Sequence, residues 1–173
     1  MLLSRVLTLA GLASTAVASG ATIIAAMDSI SNSTKALNKT IASWDGRVLG
    51  VCGITVKSTQ LLLDIKNGTE VAHASANLTF NEAVQVASAT TSLATVVNST
   101  LTTIIKAKSK FDKLLLTPVI HVTLELQKNA TDEFSAAVIE KVPKSLQGTA
   151  KGLVKPIAEA FDKAIKKYSS TKK

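Results

Sequence analysis

An all-α fold, a single-domain bundle of about five amphipathic helices, follows from three features of this 173-residue chain. Apolar residues recur at alternating steps of three and four, the period of a helix with one buried face. Hydrophobic residues make up 46% of the chain but aromatics only 3%, so the core must be built from Leu, Ile, Val and Ala, which suit close helix packing. Strand-like alternation is nearly absent: HVTLEL, residues 121 to 126, is the one serious candidate, and helical patterns lie on both sides of it.

The first helix is marked by Ile23, Met27, Ile30, Thr34, Leu37, Ile41 and Trp44, an unbroken seam that Asp45-Gly46 ends with turn chemistry. A second, from about Val48 to Lys66, repeats the spacing at Leu49, Cys52, Val56, Thr59 and Leu63. Asn67-Gly68 is expected to close it, because glycine accepts the left-handed conformation common at helix ends. A loop over residues 69–77 then leads to Thr79-Phe80-Asn81-Glu82, the pattern of a capping box. From there Val86, Thr90, Leu93, Val97, Leu101, Ile104, Lys108 and Phe111 hold helical spacing for about thirty residues, the longest helix expected.

Thr117 is placed to cap the fourth helix and Pro118 to occupy its first turn, where a missing amide costs nothing. Its stripe is Ile120, Leu124, Gln127, Thr131, Phe134 and Val138. Val142-Pro143 is a break, and Leu146, Ala150, Leu153, Ile157, Phe161, Ala164 and Tyr168 mark the fifth helix, with Pro156 expected to bend it.

The N-terminus predicts secretion. Met1 to Arg5 is short and basic, Val6 to Val17 is apolar, and Ala16-Val17-Ala18 offers small residues to a signal peptidase, so residues 1–18 are assigned as a signal peptide cleaved after Ala18 and residues 19–173 as the bundle with a short basic tail. An uncleaved anchor is the alternative, since no charge occurs between Arg5 and Asp28. The C-terminal AIKKYSSTKK resembles neither a lipid-anchor signal nor a retention signal.

Glycan acceptors support the same route. Six of the seven Asn (Asn32, Asn38, Asn67, Asn77, Asn98 and Asn129) begin Asn-x-Ser/Thr triplets, and only Asn81 does not. With 37 Ser and Thr in the chain, chance supplies about one or two such triplets. None of the six Asn falls on a helix stripe, and Asn67 and Asn77 would flank the loop.

Charge and chemistry exclude several classes. The net charge of +8 falls to +7 without Arg5, and the Lys are dispersed apart from Lys163, Lys166, Lys167, Lys172 and Lys173; without interleaved aromatics this reads as a solvated face, not a nucleic-acid surface. Cys52 is the only cysteine, which excludes an internal disulfide; Val51, Gly53 and Ile54 around it favour a buried thiol, with pairing between chains as the alternative. His73 and His121 are the only histidines, and no cluster has metal-ligand spacing, no Gly-x-Ser-x-Gly elbow and no phosphate-cradling glycine loop is present. No enzyme activity, metal or cofactor is expected.

Three segments together resemble one family: LNKTIASWDG (37–46), LLLDIKNGT (61–69) and FSAAVIEKVPKSLQGTAKGLVKPIAEAFDKAIKKY (134–168), behind a signal-like N-terminus. The chain is similar to the fungal hydrophobic surface-binding protein A family, which includes cell-wall galactomannoproteins. The resemblance implies a secreted helical bundle, extracellular or wall-associated, that binds hydrophobic surfaces or long-chain fatty acids through an apolar cavity. It also implies cell-wall polysaccharide or a secreted esterase as possible partners. By that resemblance Leu37, Ile41, Leu63, Val86, Leu93, Val97, Leu124, Phe134, Leu153, Ile157 and Phe161 are the candidate pocket lining, and Lys57 or Lys155 could meet a carboxylate at its mouth. The competing expectations are a fully packed structural wall mannoprotein without a ligand and a membrane-disrupting effector.

Overall fold

A computed structural model describes residues 19–169; the segment expected to be a signal peptide, residues 1–18, and the last residues of the basic tail lie outside them. The described residues form six α-helices and no strand: α1 Ser19–Ser43, α2 Val48–Ala74, α3 Phe80–Lys106, α4 Lys108–Lys113, α5 Thr117–Lys141 and α6 Gln147–Ser169, the last preceded by a 3-10 turn, Lys144–Leu146. HVTLEL lies inside α5.

The five long helices close into a ring. α1 packs on α2 and α3, α6 on α3 and α5, and α5 on α2. Short connections fix their directions, so that α1, α3 and α6 run one way and α2 and α5 the other. At the lower end, the Ala76 amide donates to Ser19 Oγ at 3.1 Å and the Leu78 amide to the Lys141 carbonyl at 2.8 Å.

All seven residues of the α1 seam are buried, from Ile23 to Trp44. The threonines on these seams fit because each hydroxyl donates to the carbonyl four residues earlier and leaves its methyl to the core. Thr34 does so to Ile30 at 2.6 Å and Thr90 to Val86 at 2.8 Å.

Several expectations are corrected. α2 does not end at Asn67-Gly68; it continues to Ala74, and the loop shrinks to the few residues before Thr79. Gly68 is buried in mid-helix, where a Cβ would lie 3.1 Å from both Ile30 Cδ1 and the Phe134 ring. It is there for close packing, not as a stop. The stripe assigned to α2 is also the wrong one: Cys52, Val56, Thr59 and Leu63 are exposed, and the helix buries Ile54, Leu61, Ile65, Gly68 and Ala72 instead. The Cys52 thiol is therefore exposed, not buried. The long third helix breaks at Ala107, and Phe111 reaches the core from the separate α4. Thr117 is the first residue of α5, not its cap, and its hydroxyl donates to the Asp112 carboxylate.

Aromatic side chains fill the upper end. Trp44 and Phe111 have ring centroids 4.6 Å apart, and Tyr168 meets Phe111 edge-on at 6.3 Å. Tyr168 Oη donates to the Ile104 carbonyl at 2.7 Å, and burial followed by the Asp112 charge raises its pKa, which keeps that proton in place. Gly46, at φ 91°, makes the turn into α2, and Gly50 lies so close beneath Trp44 that a Cβ would approach its Cδ1 to 2.3 Å.

The capping box forms at the lower end. The Glu82 amide donates to Thr79 Oγ1 at 3.3 Å, and Glu82 Oε2 accepts from the Thr79 amide at 2.8 Å and its hydroxyl at 2.7 Å. Its other oxygen accepts from the Gly20 amide at 3.0 Å, tying α1 to α3. These donors, Gly20 first and then Thr79, hold the Glu82 carboxyl below its ordinary pKa of 4.5.

Two predictions follow from the ends of the ring. Gly50→Ala forces the Trp44 ring to move, which costs about 1–3 kcal/mol and appears as a lower midpoint in urea unfolding. Because the folded pKa of Glu82 is depressed, its contribution is present above the unfolded pKa and is lost as pH falls through the folded value. Glu82→Gln should therefore lower the Tm at pH near 7 and flatten its decline below the ordinary carboxylate pKa of 4.5; an unchanged acid limb would reject this.

Candidate functional site

Aromatics close the upper end of the ring, but the lower half is lined by smaller aliphatic side chains and leaves an internal cavity of about 170 Å³. Its walls come from α1, α3, α5 and α6. Met27, Val86, Leu93, Phe134, Val138 and Ile157 form the deep part, and Ala87, Leu146, Ala150 and Leu153 the shallower side. The polar atoms are few. Thr90 and Thr131 spend their hydroxyls on backbone carbonyls of their own helices, whereas Ser135 and Thr149 have no hydrogen-bond partner among the described residues.

Two smaller voids continue up the axis. One of about 30 Å³ shares Leu93, Phe134, Thr131 and Ile157 with the main cavity, and another of about 20 Å³ lies above it, beneath Phe111. Gln127 borders both small voids and is buried, with Nε2 donating to Ser58 Oγ at 3.0 Å. Toward the outside, a groove of about 380 Å³ between α5 and α6 shares Ser135, Ile139, Val154 and Ile157 with the main cavity. Lys151, Lys155, Asp132 and Glu140 line that groove.

The cavity's α6 wall is loosely held. No residue of α6 before Ile157 is fully buried, and a Cβ at Gly148 or Gly152 would have no neighbour within 4 Å.

Of the eleven candidate lining residues, Val86, Leu93, Phe134, Leu153 and Ile157 border the main cavity. Leu37, Val97 and Phe161 border the second void, and Ile41 and Leu124 the third. Leu63 is 50% exposed on the outer face of α2 and borders none of them. Lys57 is exposed on α2 away from the cavity, while Lys155 sits on the α5–α6 groove with Nζ 3.7 Å from Glu159. Residues that the sequence reasoning missed are the small ones, Ala87, Ser135 and Ala150. Their signal was size: a short side chain on a core-facing stripe opens a void.

Five acceptor Asn (Asn32, Asn67, Asn77, Asn98 and Asn129) are exposed. Asn38 is half-buried; its Nδ2 donates to Ser99 Oγ at 3.4 Å, and its Oδ1 is buried without a partner. Asn67 lies within α2, not at a loop margin. No group of three or more His, Cys, Asp or Glu converges among the described residues. His73 lies near the lower end of the ring and His121, 3.7 Å from Glu125, in the upper part of α5.

The model of the family described as hydrophobic surface binding protein A matches residues 20–140, most of the chain. The chain belongs to the hydrophobic surface binding protein A family. Among curated proteins it is 28% identical over 174 residues to "Cell wall mannoprotein 1" of Aspergillus flavus, covering 97% of this chain and 63% of that protein. It thus spans less than two thirds of that relative's length.

Solved structures share the fold. AFMP4P in complex with palmitic acid superposes with a TM-score of 0.83 at 22% identity, over 86% of this chain and 99% of that one. Ligand binding domain 1 of the Penicillium marneffei MP1 protein, complexed with arachidonic acids, gives 0.83 at 20% identity, over 88% and 99%. Both of these structures are complexes with fatty acids.

Proposed function

We propose that this chain is an extracellular fatty-acid-binding member of its family, with the acyl chain held in the cavity between α1, α3, α5 and α6. The observation that carries this reading is a cavity of about 170 Å³, partly open to the outside, walled almost entirely by aliphatic carbon and extended along the axis by two smaller voids. A cavity of roughly this size with such walls stays dry and accepts apolar guests. Its neighbours with palmitic and arachidonic acids support the ligand class.

The binding energy is hydrophobic. Each buried methylene contributes about 0.8 kcal/mol, so a dozen or so contribute on the order of 10 kcal/mol before the cost of association is deducted. Pockets for ligands of drug size run from about 300 Å³ upward, so a long chain must reach beyond the main cavity. The axial voids give it room on one side and the α5–α6 groove on the other. The carboxylate belongs at the groove, where Ser135 offers an unengaged hydroxyl and Lys151 and Lys155 supply positive charge. Lys57 has no part in this arrangement.

The signal peptide and the exposed sequons support an extracellular, glycosylated protein, associated with the cell wall as its mannoprotein relative's name suggests. Expression in yeast should yield a secreted product that begins at Ser19 and loses mass on treatment with an N-glycosidase, with Asn38 the least occupied site because its Nδ2 faces Ser99. Glycopeptide mass spectrometry reads both.

The decisive test of the ligand reading is palmitate titration of delipidated protein by calorimetry. One acid per chain with submicromolar Kd is expected. Ala87→Phe with Ala150→Phe places two rings in the void and should weaken binding at least about tenfold, some 1.4 kcal/mol, without lowering Tm. A folded wild-type protein that takes up no palmitate would sink the proposal.

A further inference from the structure

Polar side chains along the axis are few, and almost all of them are spoken for. Five threonines that border the cavity and its axial voids, Thr34, Thr90, Thr100, Thr123 and Thr131, each donate to the carbonyl four residues earlier on their own helix, at 2.6 to 2.9 Å. Gln127 is the exception. It is 3% exposed and borders both axial voids, yet it uses only one end of its amide. Nε2 donates to Ser58, to Oγ at 3.0 Å and toward the carbonyl at 3.4 Å. Since that carbonyl can only accept, the nitrogen must lie at that end, and Oε1 is left without a partner among the described residues. The oxygen is not sealed in carbon either. Asn38 Oδ1 is the one described side-chain atom that is both fully enclosed and unpartnered, so Gln127 Oε1 opens on the space its residue borders: the two voids and, behind them, a groove of about 210 Å³ between α2 and α5.

We infer that Gln127 is a specificity-determining residue that selects acyl chains carrying a hydroxyl near their middle, so that mid-chain hydroxy fatty acids are the ligands this cavity takes best. The inference rests on the reading of the cavity as a fatty-acid site and adds to it the class of acid. Three arguments select a hydroxyl. The free end of the amide is an acceptor, so its partner must donate a proton, which a ketone or a double bond in the chain cannot do. The partner must also be neutral, because no charged residue borders the cavity or either void and an ionised group buried there would go uncompensated. Finally, a void of about 30 Å³ has room for a group the size of one water molecule beside the amide.

The helix sets the position of that hydroxyl along the chain. From Ser135, at the groove where the carboxylate belongs, α5 runs eight residues back to Gln127. At about 1.5 Å per residue that is about 12 Å, the length of roughly ten carbons of an extended chain. The route is continuous: the main cavity and the void beside Gln127 share Leu93, Thr131, Phe134 and Ile157. A saturated chain on this route sets methylenes against Oε1 and leaves it unpaired, whereas a hydroxyl at the right carbon supplies the missing hydrogen bond. A hydroxyl nearer the carboxylate meets mostly aliphatic wall and gives up its bonds to water without replacing them.

The experiment is calorimetry of delipidated, secreted protein with palmitate and with hydroxypalmitates that carry the group at carbon 6, 10 or 12. The better of the 10- and 12-isomers should bind at least about fivefold tighter than palmitate, and the 6-isomer more weakly than palmitate. Gln127→Met keeps the length of the side chain and removes its polar atoms, so it should reverse the order and leave palmitate the tighter ligand. The ranking of ligands needs wild-type protein alone, so it decides the matter even where the variant fails to fold. Equal affinity of wild type for palmitate and all three isomers would show that water already serves Oε1 and would overturn the inference, as would a mid-chain preference that survives Gln127→Met. In both cases palmitate still binds and the cavity reading stands. Uptake of none of the four acids would reject the cavity reading and this inference with it.

Discussion

Closing five helices into a ring sets the terms for everything inside it. With neighbouring axes about 9.5 Å apart, a regular ring of five lies about 8 Å from its centre, against about 7 Å for a ring of four. The extra radius must be filled by long side chains or left empty. At the upper end Trp44, Phe111 and Tyr168 fill it. Below them the inward positions are mostly Leu, Val, Ile, Thr and Ala, with Met27, Gln127, Phe134 and Phe161, and the axis holds three voids, the largest at the lower end. The distribution of a few aromatic residues along the axis therefore decides where the protein is solid and where it is hollow.

The two ends are built to suit this difference. The upper end is rigid because ring stacking, the Tyr168 hydrogen bond and the close fit of Gly50 under Trp44 reinforce one another. The lower end is held by polar ties, chiefly Glu82 reaching both Thr79 and Gly20, which fix α1 against α3 without filling the axis. α6 spans both regimes. From Ile157 onward it contributes Phe161, Ala164 and Tyr168 to the solid core, while its first half rests on the cavity with two glycines and no fully buried residue. Pro156, which cannot donate an internal hydrogen bond, stands at the boundary.

How much of this was legible in the sequence depended on how many apolar arcs each helix carries. α1 has one, so every residue its seam named is buried, and of the helix's buried residues only Gly20 went unnamed. α2 has two. Spacing identifies an arc but not its orientation, and the arc through Cys52, Val56 and Leu63 satisfied the pattern as well as the arc through Ile54, Leu61 and Ile65 that turns inward. The same ambiguity misplaced the Cys52 thiol. Gly68 looked like a stop because glycine accepts the left-handed conformation common at helix ends; the approach of Ile30 and Phe134 explains its presence inside the helix. The break at Ala107 carried no signal, since alanine is the best helix former. For the site, stripes located most lining residues because core and cavity share the same seams. Which part of the seam is hollow depends on the sizes of residues facing one another across the ring, and that pairing is tertiary information.

The hollow itself is costly. At about 24 cal/mol per Å³, a void of about 170 Å³ represents roughly 4 kcal/mol of stability forgone relative to a filled core. That is a large share of the 5–15 kcal/mol by which domains are ordinarily stable. Larger side chains at Ala87 and Ala150 together would reduce the deficit, and neither position is constrained by a polar partner. A guest made of methylenes recovers the same energy without a change of sequence, and it does so only while bound. The empty protein is then less stable than the loaded one by the free energy of binding, so occupancy and folding are linked through the same apolar volume. A packed mannoprotein has no use for such a deficit, whereas a carrier requires it, because a core already filled by its own side chains offers nothing to a ligand.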